Sequence, residues 1–181
     1  MTAPAADRRS IRPLLIVGVA VLCVAVLIGA VVREGYARSH GTEVTLSMRG
    51  VDPRDVVRGH YVRIHLVEDL PGGQVCAHGE GKWISLQPKG SRWVPVGRYR
   101  SREQAQRDGG VAVRGTLGCT DTTVSMDIGV DRIYVNQSDA TTIERAVIAG
   151  HDAGAIVSIG TDGRARLVGV DVDGRRYDLG W

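Results

Sequence analysis

The stretch from Leu14 to Val32 (LLIVGVAVLCVAVLIGAVV) is 19 residues long and carries no charge, and it limits what this chain of 181 residues can be. As a helix it would extend about 28 Å, enough to cross the hydrocarbon core of a bilayer. A core helix of a soluble domain normally keeps a polar face, and this run has none. The expectation is a transmembrane segment. Arg8, Arg9 and Arg12 precede it, opposed by Asp7, while Arg33 and Arg38 follow with Glu34. That bias places the N-terminus inside and the rest of the chain outside or in a periplasm.

A cleaved secretory signal has an apolar stretch of only about 7–15 residues and a small-x-small cleavage site. Here Ala30 has Ile28 two residues before it, and Cys23 follows Leu22, where a lipoprotein anchor needs a small residue. An uncleaved signal anchor is the reading, with cleavage near Ala37 as the alternative. The domain plan is a basic cytoplasmic tail over 1–13, a transmembrane signal anchor over 14–32, a juxtamembrane linker over 33–42 and an exported domain over 43–181.

Beyond residue 32 the chain holds 20 basic and 19 acidic side chains, a net charge of +1. Arg and Asp are interspersed rather than segregated, and no zinc-finger spacing or basic aromatic platform is present. Nucleic acid is therefore not an expected partner. With no Phe in the sequence, the core must be aliphatic.

The fold class expected is mainly β: an antiparallel-sheet domain with one short helix, behind one transmembrane helix. Glu43–Arg49 alternates with Val44, Leu46 and Met48 on one face, and His60–Val67 alternates with His60, Val62, Ile64 and Leu66 together. Further strands are predicted at Lys82–Leu86, Arg92–Tyr99, Val111–Leu117, Thr123–Val135, Ala155–Ile159, Arg164–Val172 and Arg175–Leu179. Pro71-Gly72-Gly73, Pro88-Lys89-Gly90-Ser91 and Asp108-Gly109-Gly110 read as turns. Asp162-Gly163 and Asp173-Gly174 read as hairpin turns, which make the C-terminal part an antiparallel meander. The one helix is predicted after Thr141-x-x-Glu144, a capping box, with Ile143, Val147 and Ile148 on one face and Gly150 closing it.

Val51–Leu66 (VDPRDVVRGHYVRIHL) is the most informative local cluster. Asp52 can cap a short turn with Pro53 at its first position, where a missing N–H costs nothing. Asp55 adds negative charge at the same end, and Arg58-Gly59 leads into the strand that carries Tyr61. Asp52, Arg54, Asp55, Arg58, Gly59 and Tyr61 are the candidate interaction residues. Gly59 is expected to be structural, and Arg54, Arg58 and Tyr61 to include the partner-facing groups.

Asp52-Pro53-Arg54-Asp55, with Arg58-Gly59 and Tyr61, resembles the opening motif of the GDYXXLXY family of membrane-anchored bacterial proteins. Gly59-His60-Tyr61-Val62-Arg63-Ile64-His65-Leu66 stands where that family has Gly-Asp-Tyr-x-x-Leu-x-Tyr. His60 replaces the motif Asp and Leu66 the last Tyr. Trp93-Val94-Pro95-Val96, Val113-Arg114-Gly115, Ile128–Val135 and the Ala155–Gly174 hairpin follow in the order that the family shows. The resemblance covers most of residues 14–181. It implies an N-terminal anchor, an exported domain and, as partner, a multi-spanning membrane protein. It implies no established activity.

The residues themselves offer little catalytic chemistry. No Ser lies in a nucleophile elbow, and no glycine-rich loop has phosphate-binding spacing. Asp52 and Asp55 stand beside Arg54 and Arg58, which favour ionisation of both and suit a salt-bridge set better than a general acid. Asp171-Val172-Asp173-Gly174 is not a calcium loop, because Gly169 and Gly180 occupy the positions of essential acidic ligands. His60 and His65 fall on opposite strand faces and cannot jointly chelate. Cys76-x-His78 with Cys119 supplies three ligands at no standard metal spacing, so neither metal nor cofactor is expected. Cys76 and Cys119 form a possible disulfide in an oxidising compartment, or remain two small apolar thiols. The expected function is a non-enzymatic accessory or interaction module at the bilayer. The alternative is a cell-envelope enzyme or a small-ligand or metal-binding domain with an unrecognised site.

Overall fold

A computed structural model describes residues 11–50, 61–77, 80–107, 109–134, 145 and 152–179. The chain divides into two units, Met1–Ser39 and His40–Trp181. The first contains one helix, α1, Ile11–Ser39. None of the large apolar side chains from Leu14 to Val32 is buried, with exposures from 55% at Val24 to 77% at Leu14. The helix is long and apolar enough to cross a membrane. Residues 33–39, read from sequence as linker, continue the helix. Glu34 pairs with Arg38 one turn on at 3.5 Å, and an acid preceding a base at that spacing supports a helix. The Ser39 hydroxyl donates back to the carbonyls of Gly35 and Tyr36, both at 3.2 Å.

The second unit is mainly β. In chain order it runs β1 (Thr42–Gly50), β2 (Tyr61–Glu68), α2 (Gly72–Cys76), β3 (Trp83–Lys89), β4 (Arg92–Tyr99), α3 (Arg102–Ala105), β5 (Val111–Arg114) and β6 (Thr116–Cys119). Then follow β7 (Val124–Asp127), β8 (Arg132–Tyr134), β9 (Ala153–Ile159), β10 (Ala165–Val172) and β11 (Arg175–Asp178). One sheet has the order β11-β10-β9-β1-β2-β7-β6, with β8 also on β2, and a second has the order β4-β3-β5. Every pairing is antiparallel.

The predicted alternation sets the core. Val44, Leu46 and Met48 of β1 and Ile64 and Leu66 of β2 are buried, with Ile84, Leu86, Val113, Val124 and Met126 from the neighbouring strands. All seven residues of β9 are buried. Its run Ala-Gly-Ala-Ile-Val-Ser-Ile lacks alternation, as a strand covered on both faces should. The core is aliphatic, and Trp93 and Tyr177 pack against it only partly buried.

Arg92 fastens the β3–β4 hairpin to the large sheet. Its guanidinium, 11% exposed, stands 2.9 Å from Asp152 and 3.5 Å from Asp171. Neither contact has hydrogen-bond alignment, so the attraction is ionic. The guanidinium lies directly over Gly154, where any Cβ would overlap it. On the same sheet Arg176 of β11 donates to Glu43 of β1 at 2.8 Å and to Asp178. Those hydrogen bonds, Glu43 first, hold its pKa above the ordinary value.

The turn predictions at Gly90, Gly109, Gly163 and Gly174 correspond to glycines with positive φ. Asp173 and Gly174 have φ of 51° and 80°, the pair a type I′ hairpin needs. At the β9–β10 turn, burial works to raise the Asp162 carboxyl. The Arg164 backbone N–H and the Arg166 guanidinium outweigh it and leave the pKa below its usual value.

Other expectations need correction. Pro71-Gly72-Gly73 is not a free turn, because Pro71 precedes α2 and Gly72 is its first residue. Helix α3 is capped by Ser101, whose Oγ accepts the Gln104 N–H at 3.3 Å. The expectation of one short helix therefore missed two. The helix predicted after Thr141 lies outside the described residues apart from Arg145, which is helical. Val111–Leu117 is two strands divided at Gly115, and Thr123–Val135 is two divided over Ile128–Asp131, where Gly129 has φ of 79°.

Cys76, at the end of α2, is bonded to Cys119, at the end of β6, with Cα atoms 6.4 Å apart. A Cβ at Gly72 would overlap the Thr120 carbonyl oxygen and approach the Cys119 Cβ at 2.9 Å, so only glycine lets α2 sit this close. The bridge spans 43 residues, for which the chain-entropy contribution is about 4 kcal/mol before any native-state adjustment.

Two outcomes follow from this architecture. Cys76→Ala with Cys119→Ala should lower stability by about 2–4 kcal/mol in urea unfolding of the detergent-solubilised chain. Thiol counting on the unreduced, denatured wild type should find one reactive cysteine, Cys23. Gly163→Ala and Gly174→Ala both place a side chain at positive φ, but only Gly163 also faces atoms, those of Trp83 and Arg114. Gly174→Ala should cost about 1 kcal/mol and Gly163→Ala clearly more, measured as the difference in their unfolding midpoints.

Candidate functional site

The candidate site is centred on β2, the strand that carries the motif. Tyr61 opens β2 and pairs with Tyr134 of β8. Ile64 and Leu66, each 1% exposed, point into the core, and His65 between them is exposed. The apolar positions of the motif therefore fix register, because a one-residue slip would turn both to solvent. Asp52, Arg54, Asp55, Arg58, Gly59 and His60 lie outside the described residues.

One edge of β2 pairs with β1, Met48 opposite Leu66 and Gly50 opposite Ile64. The other edge is shared. β7 pairs with Leu66–Glu68, and β8 pairs with Tyr61–Arg63. Between them Ile128–Asp131 leaves the ladder. One tie remains there, the Ile64 N–H donating to the Asp131 carbonyl at 3.0 Å.

A cleft of about 650 Å³ opens beside this interruption. β2 contributes Ile64, His65 and Leu66 to it, and β6 contributes Thr116, Leu117 and Gly118. β7 and the loop contribute Ser125, Met126, Asp127, Gly129, Val130 and Asp131. Buried Ile64, Leu66, Leu117 and Met126 lie beneath, while His65, Thr116, Ser125, Asp127 and Asp131 are exposed.

The polar groups of the cleft are held by short-range bonds. The Ser125 hydroxyl donates to the Gly118 carbonyl at 3.1 Å across the β6–β7 pair. One Asp127 carboxylate oxygen accepts the Gly129 N–H at 3.2 Å, which fixes the chain where it leaves β7. Asp131 stands 3.3 Å from Arg132, both exposed, so that pair adds little. The Thr120 and Thr123 side chains, 2.7 Å apart, close the β6–β7 hairpin.

Of the residues singled out from sequence, the structure joins Cys76 to Cys119. The disulfide engages both thiols that the alternative metal set needed. Among the described residues no group of three or more His, Cys, Asp and Glu side chains converges on one point. The residues that sequence reasoning missed are Thr116, Ser125, Asp127 and Asp131. They were hidden by reading residues 123–135 as one strand. Gly129 was the available signal, since a glycine inside a strand pattern often marks a break in pairing.

No curated protein and no solved structure matches this chain. The family model described as GDYXXLXY protein matches residues 23–170. An apolar N-terminal helix, a β-rich domain and a match over most of the length make this protein a member of the GDYXXLXY family.

Proposed function

We propose that this protein is an accessory module held at the cytoplasmic membrane by α1, with its N-terminus inside and its β-rich domain outside or in the periplasm. The domain binds another membrane protein, a multi-spanning one, and performs no chemistry of its own. The observation that carries the reading is the cleft beside β2: it is built on the motif strand, and its polar residues are exposed rather than enclosed. Sites that act on small molecules bury most of their ligand. An open face with fixed backbone suits docking of a partner surface instead. The three Arg residues before the span carry the proposed orientation.

A second reading keeps the same cleft for a small ligand. Its volume of about 650 Å³ falls in the range of such sites, roughly 300–1,000 Å³. The two readings separate by what is recovered. Cross-linking in intact membranes followed by purification of the full chain should yield a stoichiometric membrane protein under the first reading. A small molecule retained by the purified chain, with no protein partner, would favour the second.

Orientation is tested separately. A reporter active only outside the cytoplasm, fused after Trp181, should be active. A fusion active only with a cytoplasm-dependent reporter would reverse the proposed topology.

A further inference from the structure

We propose that the cleft beside β2 takes a basic, extended segment of the protein partner. The inference rests on the interaction-module reading and adds the chemistry of what is recognised. Its basis is charge complementarity at an open groove.

The chain has 23 basic side chains, yet no Arg or Lys is among the described residues that line the cleft. Its two charged groups of fixed sign are Asp127 and Asp131. Arg132, just outside the lining, already pairs with Asp131, so Asp127 supplies most of the cleft's negative charge in a domain whose overall balance is close to neutral. Attraction for a positive group is the expected consequence, and it acts over about a Debye length.

Both carboxylates stand on an ordered backbone. Asp127 is opposite Thr116 in the β6–β7 ladder. Its carboxylate uses one oxygen on the Gly129 N–H and keeps the other for a ligand. The Asp131 carbonyl is tied to the Ile64 N–H of the motif strand. Its carboxylate is 64% exposed beside Arg132. An exposed ion pair of that kind is worth little, so an incoming guanidinium or ammonium can compete for the oxygen.

The surroundings favour a chain over a free cation. Gly118 and Gly129 contribute no side chain to the floor, and both are exposed. Ser125 is turned onto the Gly118 carbonyl and does not obstruct the groove. Thr116, Ser125 and His65 offer hydrogen bonds to a passing backbone, and half-buried Val130 offers an apolar contact for an alternate side chain. Alternating charged and apolar side chains would match a groove that has carboxylates and an apolar wall side by side.

The test uses the full chain in phosphatidylcholine nanodiscs and three labelled peptides, acetyl-Arg-Val-Arg-Val-Arg-amide and its Gln and Glu counterparts. Fluorescence anisotropy should show the Arg peptide binding, with affinity falling as salt rises. The order should be Arg over Gln over Glu. Asp127→Asn keeps the acceptor for the Gly129 N–H, and with Asp131→Asn it should weaken the Arg peptide about tenfold, the scale of one charge-assisted contact. Amide shift changes on peptide addition should centre on His65, Thr116 and Ser125. Equal affinity of the Arg and Gln peptides, preference for the Glu peptide, or undiminished binding by the folded double variant would each overturn the proposal. Phosphatidylglycerol nanodiscs serve as a control for the bilayer: binding of the Arg peptide that appears only there belongs to the lipid and likewise overturns it. Cross-linking in membranes judges the underlying reading on its own. A membrane protein recovered equally by wild type and double variant leaves the module in place and removes the cleft from it.

Discussion

The close approach at Gly115 holds the architecture of the β domain together. β5 and β6 flank this residue, the first paired with β3 in the small sheet and the second with β7 at the end of the large one. One run of chain therefore serves both sheets. The Gly115 N–H donates to the Lys82 carbonyl at 3.0 Å. A Cβ there would overlap the Asp127 carbonyl and crowd Ile128 at 2.9 Å and Ile84 at 3.1 Å. All three neighbours are backbone or buried side chain, so no cheap rearrangement makes room. Without this contact the small sheet would lose part of its packing against the large one. The cleft begins at the next residue, Thr116, so its geometry depends on the same approach.

Arg92 makes the second connection between the two sheets, with a different physical character. A guanidinium 11% exposed between Asp152 and Asp171 loses much of its hydration. The pair of carboxylates offsets that loss, and removing either partner would leave a buried cation poorly compensated. Such an arrangement is better suited to fixing one docking geometry than to adding net stability, because ionic contacts of this type exact a desolvation cost that apolar packing does not. Gly154 is part of the device. It sits in β9, the most buried strand, and its missing side chain is the space that Arg92 occupies. Arginine can reach across a sheet in this way because its planar head retains charge when partly buried.

Much of the fold was legible because its signals are local. Alternation named β1 and β2 and the buried members of each, and paired Asp-Gly turns named the C-terminal meander. What was not legible depends on contacts between distant residues. Ser101 and Gln104 form a cap for α3 with the same spacing as a capping box, but Arg92–Tyr99 and Val111–Leu117 drew the reading towards strands on either side. Gly72 looked like turn chemistry, whereas its role is to let α2 approach Cys119 and Thr120. The break between β7 and β8 was missed because the apolar pattern continues through Ile128 and Val130, whereas the two separate pairings with β2 and the φ of Gly129 show that the chain leaves β2 there. The candidate site was legible only as a strand. Asp127 and Asp131 acquire meaning from the ladder that brings β6 and β7 beside β2, and a single sequence carries no direct record of that pairing.

The disulfide acts on the same strand that walls the cleft. β6 forms one end of the large sheet, and an end strand exposes unpaired backbone groups that can recruit another chain. Cys119 closes β6 onto α2, so the end of that strand is covered by a segment of the same protein. The cleft lies on the face of the sheet, while the bridge acts at its edge. This separation leaves the side chains on the face exposed while the end of the edge strand is covered. α2 is only five residues long and too short to be stable by helix propensity, so it keeps its place through the bridge and through Val75, which is buried in the core. Thr116–Gly118, the wall of the cleft, end at Cys119, so the bridge fixes the strand end beside that wall in addition to the β7 pairing that holds its length.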